Sequence, residues 1–131
     1  MNPSGSARQD NLSQAINNAM ALLHQGQFNL AREQADEILA IVPNEVNSLF
    51  VHAVVMRAQG DNLGALVKLE ALLQRREDFA IAQQELGYTL AALGRFLDAI
   101  VALQKAVAIE PKLPGAWRMM GELFLVDEDE T

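Results

Sequence analysis

Three glycines, Gly26, Gly60 and Gly94, stand 34 residues apart, and so do three alanines, Ala31, Ala65 and Ala99. A fixed period of this length means that one supersecondary unit is written several times and that neighbouring units bury each other's apolar faces. Pro111 maps back onto Glu77, a departure, and then onto Pro43, a return to the pattern. Forwards, Gln83, Leu86, Gly87 and Leu90 map onto Trp117, Met120, Gly121 and Phe124, so the period runs on past the third copy.

The spacing of apolar residues makes each copy a pair of helices. Helix A of the first copy is predicted to begin near Leu12, with Asn11 as N-cap and Gln14 completing a capping box. Ala15, Ala19 and Leu22 form one apolar stripe, and Ile16, Met20 and Leu23 a second. Gly26 ends the helix, because glycine enters the left-handed conformation without a Cβ penalty. Helix B covers residues 28–41 with Ala31, Ala35, Ile38 and Ile41 inward, and Pro43 prevents its continuation. The second copy places helices at 46–59 and 62–75, with Leu49, Ala53, Met56, Ala65, Leu69 and Leu72 inward. Its proline is replaced by Glu77, which predicts a less rigid junction. The third places helices at 80–93 and 96–109, Pro111 stops it, and Pro114 suits the first turn of a seventh helix. The resulting division is a disordered leader 1–11, units 12–45, 46–79 and 80–113, a terminal helix 114–126 and an acidic frayed tail 127–131.

The run Gln83-x2-Leu86-Gly87-x2-Leu90, then Gly94, Ala99-x3-Leu103 and Pro111, resembles the tetratricopeptide pattern W-x2-L-G-x2-Y, A-x3-F and P. The resemblance covers 12–126 and implies an all-α fold, a right-handed α-solenoid of three helix pairs plus a seventh terminal helix. It also gives the small residues Ala19, Ala53, Gly87 and Gly121 a steric reason, since they fall where helix A meets helix B most closely. A larger side chain there costs about 1–3 kcal/mol through overpacking. The terminal helix has no helix B. It is either a capping helix or the first half of a truncated fourth unit, whose Leu123, Phe124 and Val126 seek a second copy. That pairing, a weak homodimer through the C-terminal helix, is opposed by repulsion between acidic tails and so favoured by salt.

Half of the 131 residues are apolar, enough for one packed domain. Cysteine is absent, which removes disulfide and thiolate chemistry and suits a reducing compartment. Residues 1–10 lack the apolar core of a signal peptide, and no run approaches the roughly 18 apolar residues of a membrane span. Cytoplasmic placement and no membrane partner are the expectations. The net charge of −7 resides in the ends. Residues 46–79 and 80–113 are each neutral, whereas Arg118 stands against Glu122, Asp127, Glu128, Asp129 and Glu130. Without a basic stripe, nucleic acid is excluded as a partner.

Catalytic and cofactor signals are missing, which predicts a non-enzymatic chain without cofactor or metal. His24 and His52 have no ligand partner at metal spacing, and His52 occupies the packing place of Leu86. The acidic run lacks the glycine turn of a calcium loop, and the glycines are too dispersed for a phosphate loop. Trp117 falls on the repeat's own tryptophan position, where it is expected to pack in the core.

The resemblance puts the ligand on the concave face of the A helices. By register this selects Ile16, Met20, Phe50, Val54, Arg57, Ile81, Gln84, Tyr88 and Arg118. Ile16, Met20, Phe50, Val54, Ile81 and Tyr88 would form an apolar band, suited to an amphipathic helix or apolar peptide segment of a protein partner. The open alternative is that superhelical closure or self-association covers part of it. A cationic clamp for the acidic C-terminus of heat-shock chaperones is excluded, because Ile16, Met20, Val51, Ile81 and Glu85 stand at the matching places. A second functional reading comes from Leu113-Pro114-Gly115-Ala116-Trp117-Arg118, which looks like the last-repeat phrase of bacterial proteins in which such repeats precede a sulfotransferase domain. That resemblance implies a scaffold region of a larger enzyme.

Overall fold

A computed structural model describes the backbone of residues 3–130 and the side chains of residues 9–125. Among the described residues seven α-helices follow one another: α1 Pro3–His24, α2 Phe28–Ile41, α3 Val46–Ala58, α4 Asn62–Arg75, α5 Ala80–Ala92, α6 Phe96–Ile109 and α7 Pro114–Glu130. Each helix packs on its sequence neighbours, and α1–α3, α3–α5 and α5–α7 also touch, whereas the even helices do not touch one another. Closer spacing of the odd helices curves the stack, with the odd layer inside and the even layer outside. The fold is an all-α solenoid.

Gly26, Gly60 and Gly94 adopt φ of 75°, 88° and 79° and turn each helix A into its helix B. In each turn the glycine N–H bonds the carbonyl three residues back, and the next N–H bonds the carbonyl five back, as in Gln27 N to Leu22 O at 2.9 Å. This is the Schellman closure, which satisfies carbonyls left over at a helix end. Side-chain caps start α3 and α4. The Glu45 carboxylate accepts from the Asn47 and Ser48 N–H groups at 2.9 and 3.0 Å, and Asp61 accepts from Gly64 N at 2.9 Å. At Glu77, where the proline is missing, α4 still ends at Arg75, in the same register as α2 and α6. The Arg76 guanidinium lies 4.6 Å above the Phe79 ring, and Phe79 is buried, so side-chain packing fixes the junction that proline fixes elsewhere.

Both ends depart from expectation. The first helix begins at Pro3, which places Asn11 inside α1 and leaves the capping box unused. Proline suits a first helical turn, and a helix already secured by the core extends backwards without the cost of a new nucleus. At the other end the backbone of α7 stays helical through Glu130, where a frayed tail was expected. Residues 1–2 and 131, and the side chains of Val126 and of the acidic run, lie outside the described residues.

The core forms two contiguous clusters, one from Ala19 to Ala82 and one from Leu90 to Leu123. Ala31, Ala35, Ala53, Ala65 and Ala99 are wholly buried at the crossings of helices A and B. At Gly87 the approach is closest: a Cβ there would stand 2.6 Å from Cγ and Cδ2 of Leu103. Gly121, at the same register, has nothing within 4 Å of where a Cβ would stand. Ile41, expected inside, is 78 % exposed, since it sits on the last turn of α2 at the rim.

Candidate functional site

The concave layer presents an open hollow of about 540 Å³ where α3, α5 and α7 converge. Arg57 comes from the last turn of α3, Tyr88, Ala91 and Ala92 from α5, and Gly115, Arg118, Met119 and Glu122 from α7. Glu85 lies under the hollow, 5 % exposed, and forms a two-pronged ion pair with Arg57: Nε to Oε2 at 2.6 Å and Nη2 to Oε1 at 3.1 Å. A buried carboxylate needs such a partner, because an uncompensated charge in this position is costly. The same guanidinium sits 5.4 Å from the centre of the Tyr88 ring. Burial first, and the Glu85 carboxylate second, hold the Tyr88 phenol above its ordinary pKa, against the opposing pull of Arg57 and Arg118. The Tyr88 hydroxyl reaches α7 at Gly115, where a Cβ would run into it, and the Gln84 amide oxygen stands close to the same point. Gly115 thus lets α7 settle onto the Tyr88 and Gln84 side chains.

Of the nine residues selected from the sequence, Arg57, Tyr88 and Arg118 line this hollow and Gln84 stands beside it. Ile16, Met20, Val54 and Ile81 are half-buried and packed against the core. Phe50 is not a groove residue. It is 6 % exposed, with its ring centroid 5.6 Å from that of Phe79 in the connection between α4 and α5. The apolar band is therefore interrupted at Phe50 and partly spent on packing between successive A helices. Phe79 was invisible to periodicity because it lies in a connection, just ahead of α5.

Trp117 corrects the expectation of core packing. It is 55 % exposed, and its Nε1–H donates to the Pro111 carbonyl at 2.9 Å. In the preceding unit the same register is sealed, with Gln83 5 % exposed. His52 is half-buried and bridges α3 to α2, with Nε2 2.7 Å from Asp36 Oδ1. Among the described residues no three His, Cys, Asp or Glu side chains gather as a metal site, and no helix is long and apolar enough to cross a membrane. A second hollow of about 550 Å³, which the sequence did not signal, opens between α1 and α2 over Leu12, Ala15, Ile38 and Ile41.

Stacked helix pairs with glycine turns, small crossing residues and a concave inner layer define a helical-repeat solenoid. Residues 80–123 match the tetratricopeptide repeat family model. Among solved structures, the chain superposes on the first TPR domain of Spaghetti (RPAP3) bound to an HSP90 peptide with a TM-score of 0.75, at 12% identity, over 88% of this chain and 91% of that one. The Sgt2 TPR domain from Aspergillus fumigatus gives 0.78 at 16% identity, over 92% and 81%. An O-GlcNAc transferase mutant from Thermobaculum terrenum gives 0.81 at 17% identity, over 88% of this chain but 22% of that one. No curated protein matches the sequence significantly. Residues 80–123 therefore carry a tetratricopeptide repeat, and the chain as a whole shares the fold of the tetratricopeptide domains it superposes on.

Proposed function

We propose that this chain is a protein-interaction scaffold that takes a peptide or a short helix in the hollow between α3, α5 and α7. The observation that carries this reading is the hollow itself, where the Tyr88 ring, the Met119 side chain and opposite charges converge from three separate helices. Tyr88 and Met119 offer apolar contact that adapts in shape. Arg57 is satisfied by Glu85, whereas Arg118 and Glu122 make no ion pair among the described residues and are exposed. A partner segment that places an apolar side chain over Tyr88, with an acid towards Arg118 and a base towards Glu122, meets each of these groups. A helix with mixed charge fits better than an acidic C-terminus, which would have to compete with Glu85 for Arg57. The Spaghetti domain, which has a similar fold, is bound to an HSP90 peptide, and this supports a peptide partner here.

Peptides selected from a displayed helical library against the wild-type chain provide the test. Tyr88→Ala with Arg118→Glu should weaken them about tenfold or more, since one aromatic anchor alone commonly carries over 1 kcal/mol. Selected peptides that bind the double variant as tightly as the wild type would remove the hollow as the site.

A second reading keeps the array as the scaffold region of a larger bacterial enzyme, such as a sulfotransferase. The transferase neighbour, of which this chain spans 22%, supports it by example.

A further inference from the structure

The outer face of α7 is uncovered, and the chain's own repeats show what kind of surface covers it. Trp117, Gly121 and Phe124 share their registers with Gln83, Gly87 and Leu90 of α5. In α5 those positions are sealed, with Gln83 and Leu90 each 5 % exposed and Gly87 pressed against Leu103 of the antiparallel α6. In α7 they are open: Trp117 is 55 % exposed, Phe124 50 %, neighbouring Leu125 63 %, and Gly121 has nothing within 4 Å of where a Cβ would stand. The opposite side of α7 carries Ala116, Met120 and Leu123, all buried, so its open side is a true second face. Leu123, expected on that face, belongs to the core.

We propose that a second copy of this chain covers it, the two α7 helices crossing antiparallel about a two-fold axis at Gly121. Glycine at the crossing lets two backbones approach, as Gly87 does towards α6, while Trp117 of each copy lies beside Leu125 and Phe124 of the other. Charge selects the antiparallel arrangement. α7 carries Asp127, Glu128, Asp129 and Glu130 at one end, and has Arg118 in its first turns with Lys112 just before it. A parallel pair would set the two acidic runs side by side. Crossing at Gly121 instead brings the acidic run of one helix to the N-terminal end of the other, where free N–H groups and cations favour negative charge. An isologous pair of this kind closes on itself and stops at two. It is one helix wide, well short of the roughly 800 Å² per partner of a standard interface, so it forms weakly and depends on concentration. Salt therefore weakens the pair, the reverse of the expectation for acidic tails set side by side, because here it screens an attraction between unlike ends.

Analytical ultracentrifugation of the whole 131-residue chain, with the emission of its single tryptophan followed in parallel, tests the proposal. A monomer–dimer equilibrium should appear as concentration rises, with Trp117 emission moving to shorter wavelength and dissociation rising with salt. Gly121→Leu is the informative variant. In the monomer its side chain enters open space and replaces a poor helix former, so circular dichroism should show equal or greater helicity. In the dimer it blocks the crossing, and the dissociation constant should rise about tenfold or more. Phe124→Glu should do the same. A chain that stays monomeric at every concentration overturns the proposal. So does a dimer that Gly121→Leu leaves intact, one that salt strengthens, or a series of growing oligomers.

Discussion

Replacing Gly87 and Gly121 by alanine applies one chemical change at two positions of the same register, and the structure gives the two changes opposite signs. Within a helix, Gly→Ala stabilises by about 0.8–1.0 kcal/mol through backbone propensity alone. At Gly87 the new methyl would stand 2.6 Å from Cγ and Cδ2 of Leu103 and 3.3 Å from the Ala99 carbonyl oxygen. Leu103 is wholly buried, so its side chain must shift against packed neighbours. Overpacking of this kind costs about 1–3 kcal/mol, which offsets the propensity gain and leaves a net loss of up to about 2 kcal/mol. At Gly121 only the gain remains. Urea titration followed by circular dichroism, at a concentration low enough to keep the chain monomeric, measures both. Gly87→Ala should shift the midpoint down, and Gly121→Ala should leave it unchanged or raise it. The double variant Gly87→Ala with Leu103→Ala should cost less than the sum of its parts, since the deletion removes the clash. If Gly87→Ala proves as stabilising as Gly121→Ala, the register that sets α5 against α6 is wrong.

Phe50→Ala removes a buried ring packed on Phe79 and should destabilise by about 3–5 kcal/mol, read as a lowered urea midpoint, rather than act on partner binding. Tyr88 supplies a pH dependence: its phenol is held above its ordinary value of 10.0 by burial and Glu85, so the unfolded chain ionises first. Its contribution is complete below pH 10 and is lost as pH rises through the higher folded value. Tyr88→Phe should therefore show a flatter loss of stability in alkaline urea titrations than the wild type.

The internal period made the fold legible, because a helix pair that must stack on copies of itself has few other ways to bury Ala31, Ala65 and Ala99. The turns were equally readable, since Gly26, Gly60 and Gly94 adopt a backbone conformation that other residues rarely enter. The site was read less well. Register says which side of a helix a residue faces, but not how deeply the neighbouring A helix covers it. Phe50 and Glu85 both carry the groove register, yet one is sealed against Phe79 and the other lies beneath Arg57. Trp117 was misread for the converse reason: its register is a core register only where a helix B follows. The ends escaped too, because Asn11 and Gln14 spell a helix start that extension from Pro3 makes unnecessary.

Because each helix touches only its immediate neighbours in the stack, loss of structure at one end need not reach the other. α7 rests on α5 and α6 alone, so it should open far more often than α3 or α5, and its amides should exchange with solvent first. A ligand seated between Arg57, Tyr88 and Arg118 would bridge α3 directly to α7, two helices that do not otherwise touch. Binding would then be written most plainly far from the ligand's own footprint, as slowed exchange along the whole of the last helix.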